Sequence, residues 1–138
     1  NKKVLIITST YNQIISKGLQ KYTLNFLRKF VWIKKTSIQV PGAFEIPSVV
    51  EKYIRKFDGV IVLGCIIKGE TNNFDLISRS ITDSLMYLSI KHKKPIGNGI
   101  ITCFNYKQAI SRRKKGEEAA LAVKEVLSLN QKVTDKFS

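Results

Sequence analysis

Residues 60–71 read VIVLGCIIKGET, an apolar run that passes through glycines into a short polar loop. Residues 60–65 have the continuous apolar composition of a strand buried on both faces of a parallel sheet. Gly69 and Thr71 follow this run and precede a helical pattern. The segment therefore predicts a buried strand, a loop at its carboxyl end and a crossover helix.

The segments on either side repeat this alternation. Residues 4–8 form another apolar run, and the apolar residues after it recur at intervals of three and four, as on one face of a helix: Ile15, Leu19, Tyr22, Phe26, Leu27 and Phe30. We predict further strands at residues 37–40 and 99–103, and helices at residues 48–57, 106–113 and 117–129. Between these segments we predict another helix, which Asn73 or Asp75 caps and which ends before Pro95. Its inward face carries four apolar residues: Ile77, Ile81, Leu85 and Leu88.

Alternating strands and helices predict an α/β protein, a three-layer α/β/α sandwich with a four-stranded, mainly parallel sheet of flavodoxin-like type. No repeat, linker or shift in composition divides the chain, so residues 1–138 are predicted to form a single domain.

The chain is strongly basic, with 24 lysine and arginine residues against 10 acidic ones and a formal net charge of +14. Such a charge attracts nucleic acid, anionic lipid or anionic small molecules without distinguishing them. The basic residues are dispersed and lack interleaved aromatic residues, which is typical of a solvated lysine-rich surface. Nucleic-acid binding stays a minor alternative, and neither nucleic acid nor a membrane is an expected partner.

Cys65 and Cys103 lie in apolar segments, without a second cysteine or histidine at a metal-ligand spacing. They are predicted to be reduced core residues of a cytoplasmic protein, and no metal site is expected. If their strands are neighbours the thiols could lie close together. The apolar runs are too short for a membrane span or a signal peptide.

Four loops follow the predicted strands: Tyr11-Asn12, residues 41–47, residues 68–75, and Phe104-Asn105. Because ligands of open α/β sheets bind beyond the carboxyl ends of the strands, we expect these loops to form one site. Gly69 and Thr71 could offer backbone N–H groups and a hydroxyl to an anion. Taken alone, that signal is weaker than its interpretation as an ordinary helix cap.

The ordered set of motifs resembles the 6,7-dimethyl-8-ribityllumazine synthase family from residue 4 to about residue 127. PGAFEIP at residues 41–47 and GCIIKGET at residues 64–71 are similar to its second- and third-strand motifs. NGIIT at residues 98–102, Gln108-Ala109 with Arg112, and KGEEAA at residues 115–120 resemble its C-terminal segments.

The resemblance implies a transferase of riboflavin biosynthesis. It would condense 5-amino-6-(ribitylamino)uracil with 3,4-dihydroxy-2-butanone 4-phosphate, without a metal or organic cofactor. Tyr11 would stack on the pyrimidine, Cys65, Ile66 and Ile67 would edge it, and Ala43, Phe44 and Glu45 would hold the ribityl chain.

The resemblance implies that Glu70, Thr71 and Arg112 would bind the phosphate of the substrate. It also implies a homo-oligomer, at least a pentamer, in which a neighbour supplies Asn98, Arg112 and Lys115. An isolated pentamer is favoured over a larger shell. If the motifs are left aside, the same residues are interpreted as ordinary core, packing or solvated surface residues.

The main departure from the family is Asn73, which stands where the family has a proton-shuttling histidine. Asp75 matches the acidic position beside that histidine, and His92 is predicted to be a solvated residue at a helix end. An amide cannot take up a proton near neutral pH. The expectation is therefore a working but slowed synthase, and the alternative is a non-catalytic homologue that binds lumazine or riboflavin or acts as a scaffold. The connection from Arg112 to Lys115 is also shorter than is usual in the family.

Overall fold

A computed structural model describes residues 1–137, and the side chains of residues 1–129. The strands are β1 (Lys2–Ser9), β2 (Ile33–Val40), β3 (Gly59–Ile67) and β4 (Ile96–Cys103). They form a parallel sheet in the order β2-β1-β3-β4. Helices cover both faces, so the predicted three-layer α/β/α architecture is confirmed, and all four described strands are parallel.

The helices are α1 (Gln13–Leu27), α2 (Ile46–Tyr53), α3 (Phe74–His92), α4 (Tyr106–Ser111) and α5 (Lys115–Phe137). Short 3-10 turns lie at Ala43–Glu45, Ile54–Lys56 and Lys68–Glu70. The single-domain prediction extends to Ser138, which lies outside the described residues.

β2 and β4 begin earlier than predicted, at Ile33 and Ile96 rather than residues 37 and 99. The start of β2 contains Lys34 and Lys35, and both residues pair with β1. β2 is an edge strand with exposed side chains along most of its length, and an edge tolerates lysine well.

The helices also depart from prediction at their ends. α2 begins two residues early, with Pro47 in its first turn where no intrahelical bond is lost, and it tightens into a 3-10 turn after Tyr53. α4 ends at Ser111 rather than at residue 113. Tyr22, predicted to face inward from α1, is 42% exposed, because the buried stripe of this helix runs through Ile15, Leu19 and Leu27.

Two apolar cores flank the sheet. α1 and α5 pack on one face, over Val4, Ile61 and Cys103. α2 and α3 pack on the other, where Ile81, Leu85 and Leu88 are buried and Ile77 is partly buried, as predicted. All nine residues of β3 are buried, since this strand lies inside the sheet between both helical layers.

The close packing of α5 on β4 depends on Gly97. A Cβ atom at this position would lie 2.3 Å from the Ala119 carbonyl oxygen. The missing side chain therefore lets the α5 backbone approach the strand, which sets where the start of α5 lies beside the edge of the sheet.

Candidate active site

The four loops at the carboxyl ends of the strands are joined to one another, as predicted. The Thr10 hydroxyl donates to the Pro41 carbonyl at 3.4 Å, linking the loops after β1 and β2. The Gly69 N–H donates to the Phe104 carbonyl at 3.4 Å, linking those after β3 and β4. These bonds join the four loops in two pairs, and a hydrogen bond from Tyr11 to Glu70 connects the two pairs.

The two pairs of loops meet at this hydrogen bond between Tyr11 and Glu70. The Tyr11 hydroxyl, in the loop after β1, donates to Oε1 of Glu70, in the loop after β3. This bond and partial burial raise the pKa of the Tyr11 phenol to about 12, so it stays protonated near neutral pH. The bond was not predicted, because its partners lie 59 positions apart in the sequence and only the assembled sheet brings them together.

Cys65, Ile66 and Ile67 bury their side chains in the two cores, so they can meet a ligand at this edge only through backbone groups. The pairing of β1 with β3 ends at Thr8 and Leu63, although β3 continues to Ile67. The backbone groups that residues 64–67 direct toward β1 therefore lie outside the sheet pairing. This stagger gives a physical basis for the predicted backbone contacts.

The two thiols are free and buried on neighbouring strands. Burial raises the pKa of the Cys65 thiol to about 11 and also raises the pKa of Cys103. The Asn12 amide Nδ2 lies 4.0 Å from Cys65 Sγ. Both thiols are therefore protonated at neutral pH, which suits core residues and does not suit nucleophiles.

Ala43, Phe44 and Glu45 form the 3-10 turn before α2. Ala43 is buried, whereas Phe44 is 68% exposed. With Glu45, Phe44 lines a groove of about 450 Å³ between the start of α2 and the Ser80, Ile81 and Ser84 side of α3. The turn thus presents an aromatic ring and a carboxylate beside the carboxyl edge.

Thr71 and Asn73 lead from β3 into α3. Thr71 has an extended backbone, and Asn73 adopts the left-handed conformation with φ 56°. Asn73 occupies the predicted N-cap position, but its side chain makes no capping hydrogen bond. Its backbone carbonyl instead accepts from the Ile77 N–H at 2.9 Å. The amide of Asn73 is therefore exposed at the site.

Asn98, Arg112 and Lys115 lie along the outer edge of β4. Arg112 Nη1 donates to the Thr102 carbonyl at 3.1 Å, and Arg112 and Lys115 line a groove of about 490 Å³ beside β4. Asn98 pairs with Val62 in the sheet, and its side chain accepts from the Ile100 N–H. Among the described side chains, no hydrogen bond connects these three residues to Tyr11 or Glu70.

His92 is not the solvated residue that we expected. Its side chain is only 9% exposed, and Nε2 lies 3.0 Å from Oε2 of Glu51 in α2. It is packed because the last turn of α3 rests against α2. The length of α3, 19 residues or about 29 Å, separates His92 from Asn73, so the two side chains of one chain cannot act in the same site.

The described residues contain no group of three potential metal ligands among histidine, cysteine, aspartate and glutamate. None of their helices is long and apolar enough to cross a bilayer.

The fold and the joined loops define a parallel α/β protein with a candidate ligand site at the carboxyl edge of the sheet. A sequence profile described as 6,7-dimethyl-8-ribityllumazine synthase matches residues 1–131. The chain therefore belongs to the 6,7-dimethyl-8-ribityllumazine synthase family.

Individual relatives agree. The protein of that name from Bdellovibrio bacteriovorus is 35% identical over 137 residues, covering 95% of this chain and 76% of the relative. The protein from Limosilactobacillus reuteri is 36% identical and covers 93% of this chain and 89% of the relative. The one from Helicobacter pylori is also 36% identical and covers 95% of this chain and 90% of the relative. These names favour an enzyme over the non-catalytic homologue that Asn73 left open.

Proposed function

We propose that this protein catalyses the lumazine synthase reaction of riboflavin biosynthesis. It condenses 5-amino-6-(ribitylamino)uracil with 3,4-dihydroxy-2-butanone 4-phosphate and releases phosphate and water. The observation that carries the proposal is the family match over residues 1–131, which spans all four loops of the carboxyl edge. The chain works as one domain, in the cytoplasm, where its two thiols stay reduced.

The pyrimidine binds between the Tyr11 ring and the backbone of residues 65–67. Tyr11 is 38% exposed, so its ring face is open to a planar heterocycle, and hydrogen bonding at its hydroxyl fixes the ring. Phe44 and Glu45 hold the ribityl chain along the turn before α2, with Ala43 as its buried base.

The phosphate binds at the loop after β3. The backbone of Glu70 and Thr71 and the Thr71 hydroxyl supply neutral donors, and the N-terminus of α3 adds its unpaired N–H groups. Arg112 supplies the guanidinium fork that suits a phosphate. Within one chain, Arg112 lies beside β4 and donates to the Thr102 carbonyl. This position on the outer edge of the sheet supports a role for Arg112 in the site of a neighbouring subunit.

Asn73 stands where the family has its general acid–base residue, and its amide does not transfer protons. The reaction needs protons moved from the attacking amine to departing oxygen, and solvent, Asp75 or the substrate phosphate carries them. General acid–base catalysis contributes about 10²- to 10⁴-fold, whereas holding two reactants together contributes as much or more. The enzyme is therefore slowed but active.

The deciding experiment follows lumazine formation by absorbance, with both purified substrates, against the uncatalysed condensation. Protein-dependent turnover is expected. Arg112→Ala should lower kcat/KM about tenfold to a hundredfold, because a charge-assisted phosphate contact is lost. Arg28→Ala, which removes an exposed arginine at the end of α1, is the matched control. A rate equal to background for the wild type would refute the enzyme and leave a binding or scaffold protein.

The active assembly is a homo-oligomer, a pentamer or a shell of pentamers, whose neighbours share each site. Asn98, Arg112 and Lys115 come from one subunit, and Tyr11, Phe44 and the residue 70–73 loop from the next. Mixed assemblies test this arrangement. If Arg112→Ala and Phe44→Ala proteins are unfolded and refolded together, sites with both halves intact should raise the activity above that of either variant alone. Monomeric behaviour in analytical ultracentrifugation, or no recovery on mixing, would contradict a shared site.

A further inference from the structure

The Tyr11–Glu70 hydrogen bond is not required by either apolar core. Glu70 is exposed and Tyr11 is more than one-third exposed, and neither side chain belongs to the packed clusters. The bond nevertheless ties the loop after β1 to the loop after β3. A hydrogen bond between two exposed side chains at the edge of a ligand site affects ligand binding rather than the packing of the core.

Glu70 introduces an electrostatic conflict into that loop. Its carboxylate belongs to the residue directly before Thr71, in the segment that binds phosphate under the proposed function. A carboxylate and a phosphate repel each other, and the repulsion grows as their separation decreases. The direction in which the Glu70 side chain points therefore affects how well the loop accepts a phosphorylated ligand.

The nearby lysine does not relieve this conflict. Lys68, on the same 3-10 turn, has Nζ 5.5 Å from the centre of the Phe104 ring. Among the described residues it makes no ion pair with Glu70. The hydrogen-bond donor that holds the carboxylate is the Tyr11 hydroxyl.

We propose that the Tyr11 hydroxyl determines the affinity of the site for the phosphorylated substrate, by holding the Glu70 carboxylate against the loop after β1. This inference rests on the proposed function, and it gives Tyr11 a second role, separate from the stacking of its ring. The proton needed for the bond is retained, since the Tyr11 phenol is protonated throughout the neutral range. Tyr11 acts here as a positioning residue, through Glu70.

Four proteins test the proposal: wild type, Tyr11→Phe, Glu70→Gln and the double variant. Tyr11→Phe frees the carboxylate and should weaken binding of inorganic phosphate, measured by calorimetry, by about tenfold. It should raise the KM for the phosphorylated ketone by a similar factor and change the KM for the pyrimidine much less, because phenylalanine keeps the stacking ring and loses only the bond that fixes it. Glu70→Gln should bind phosphate no more weakly than wild type. The double variant should return to wild-type affinity, because the repelling charge is gone.

Tyr22→Phe is the control, since it removes a phenol that is 42% exposed on α1, outside the site. Gel filtration of each variant checks that the assembly is intact. Wild-type phosphate affinity in Tyr11→Phe would overturn the proposal, and so would a double variant as weak as Tyr11→Phe. Calorimetry needs no turnover, so a wild type that binds phosphate without forming lumazine would refute the proposed function while still testing this inference. A wild type that does not bind phosphate would overturn the inference.

Discussion

The buried hydroxyl of Thr23, in α1, lies 2.9 Å from the carbonyl oxygen of Gly116, the second residue of α5. The same hydroxyl lies 3.0 Å from the Leu19 carbonyl, so one donor serves two acceptors in a site without exposure to water. A Cβ atom on Gly116 would lie 2.2 Å from the Leu19 carbonyl oxygen. This contact holds the start of α5, and with it Lys115, against α1.

Gly116→Ala should destabilise the protein by about 1–3 kcal/mol, because backbone atoms of α1 must move to admit the methyl group. Thr23→Val should cost about 1 kcal/mol, through the lost hydrogen bond. Denaturant unfolding measures both. Gly18→Ala is the matched control: its Cβ would meet mainly the flexible Arg113 side chain, and alanine favours the helix. Equal stability of the two alanine variants would contradict the close contact at Gly116.

Asn73→His should raise kcat, by up to about a hundredfold, since it restores a group that can transfer protons. The left-handed conformation at this position, with φ 56°, is one that histidine adopts more readily than most residues. The pH profile of kcat should gain a step near the ordinary histidine pKa of about 6.5. Asn72→His, one residue away, is the control. An unchanged rate for Asn73→His would show that proton transfer at this position does not limit turnover.

Cys65 should react very slowly with iodoacetamide in the native protein. Its pKa of about 11 leaves roughly one thiol in a thousand ionised at pH 8, and burial restricts access further. Mass spectrometry of native and denatured protein measures the difference, and Cys103→Ser isolates the Cys65 signal. Labelling should still be increasing between pH 9 and pH 10. Rapid native labelling of Cys65 at pH 8 would contradict its buried, protonated state.

Glu51 should make the stability of the α2–α3 contact dependent on pH. The hydrogen bond with His92, and Lys91 nearby, lower the pKa of Glu51 below its ordinary value of 4.5. A lowered carboxyl pKa stabilises the folded state above the unfolded value, and this contribution is lost as the pH falls through the folded value. Glu51→Gln should therefore lower Tm at pH 6, and the difference should shrink below pH 4.5.

The control for this series is Glu125→Gln, which removes a carboxylate 3.4 Å from Lys124 on the same helix. An exposed pair of this kind contributes little to stability. If the Tm difference between wild type and Glu51→Gln were the same at pH 6 and pH 3.5, the ion pairs of Glu51 would have no part in stabilising the fold.

Much of the architecture was predictable because its signals are local. The apolar run at residues 60–65 lies within β3, and the period of Ile81, Leu85 and Leu88 matches the buried stripe of α3. The loops that were expected to meet do meet, since parallel strands place their carboxyl ends at one edge. The start of β2 was not predicted, because two lysines occupy it. A strand tolerates these lysines because β2 lies at the edge of the sheet, where side chains can reach solvent.

Less of the candidate site could be predicted. The motifs indicated which loops carry the functional residues, and those residue roles remain predictions. The hydrogen bond from Tyr11 to Glu70 and the overhang of β3 beyond β1 had no sequence signal. The packing of His92 against Glu51 was also missed, because a basic segment before a proline indicates solvent, and the tertiary contact overrides that tendency.

The sequence by itself determined the alternation of strands and helices, the family and the loops that gather at the sheet edge, because short-range periodicity and contiguous motifs encode all three. Only the tertiary structure decided which side chains meet. Tyr11 reaches Glu70 across 59 positions of sequence, and Thr23 reaches Gly116 across 93. Such distant partners are set by how the helices pack across the sheet, and packing depends on the whole chain at once.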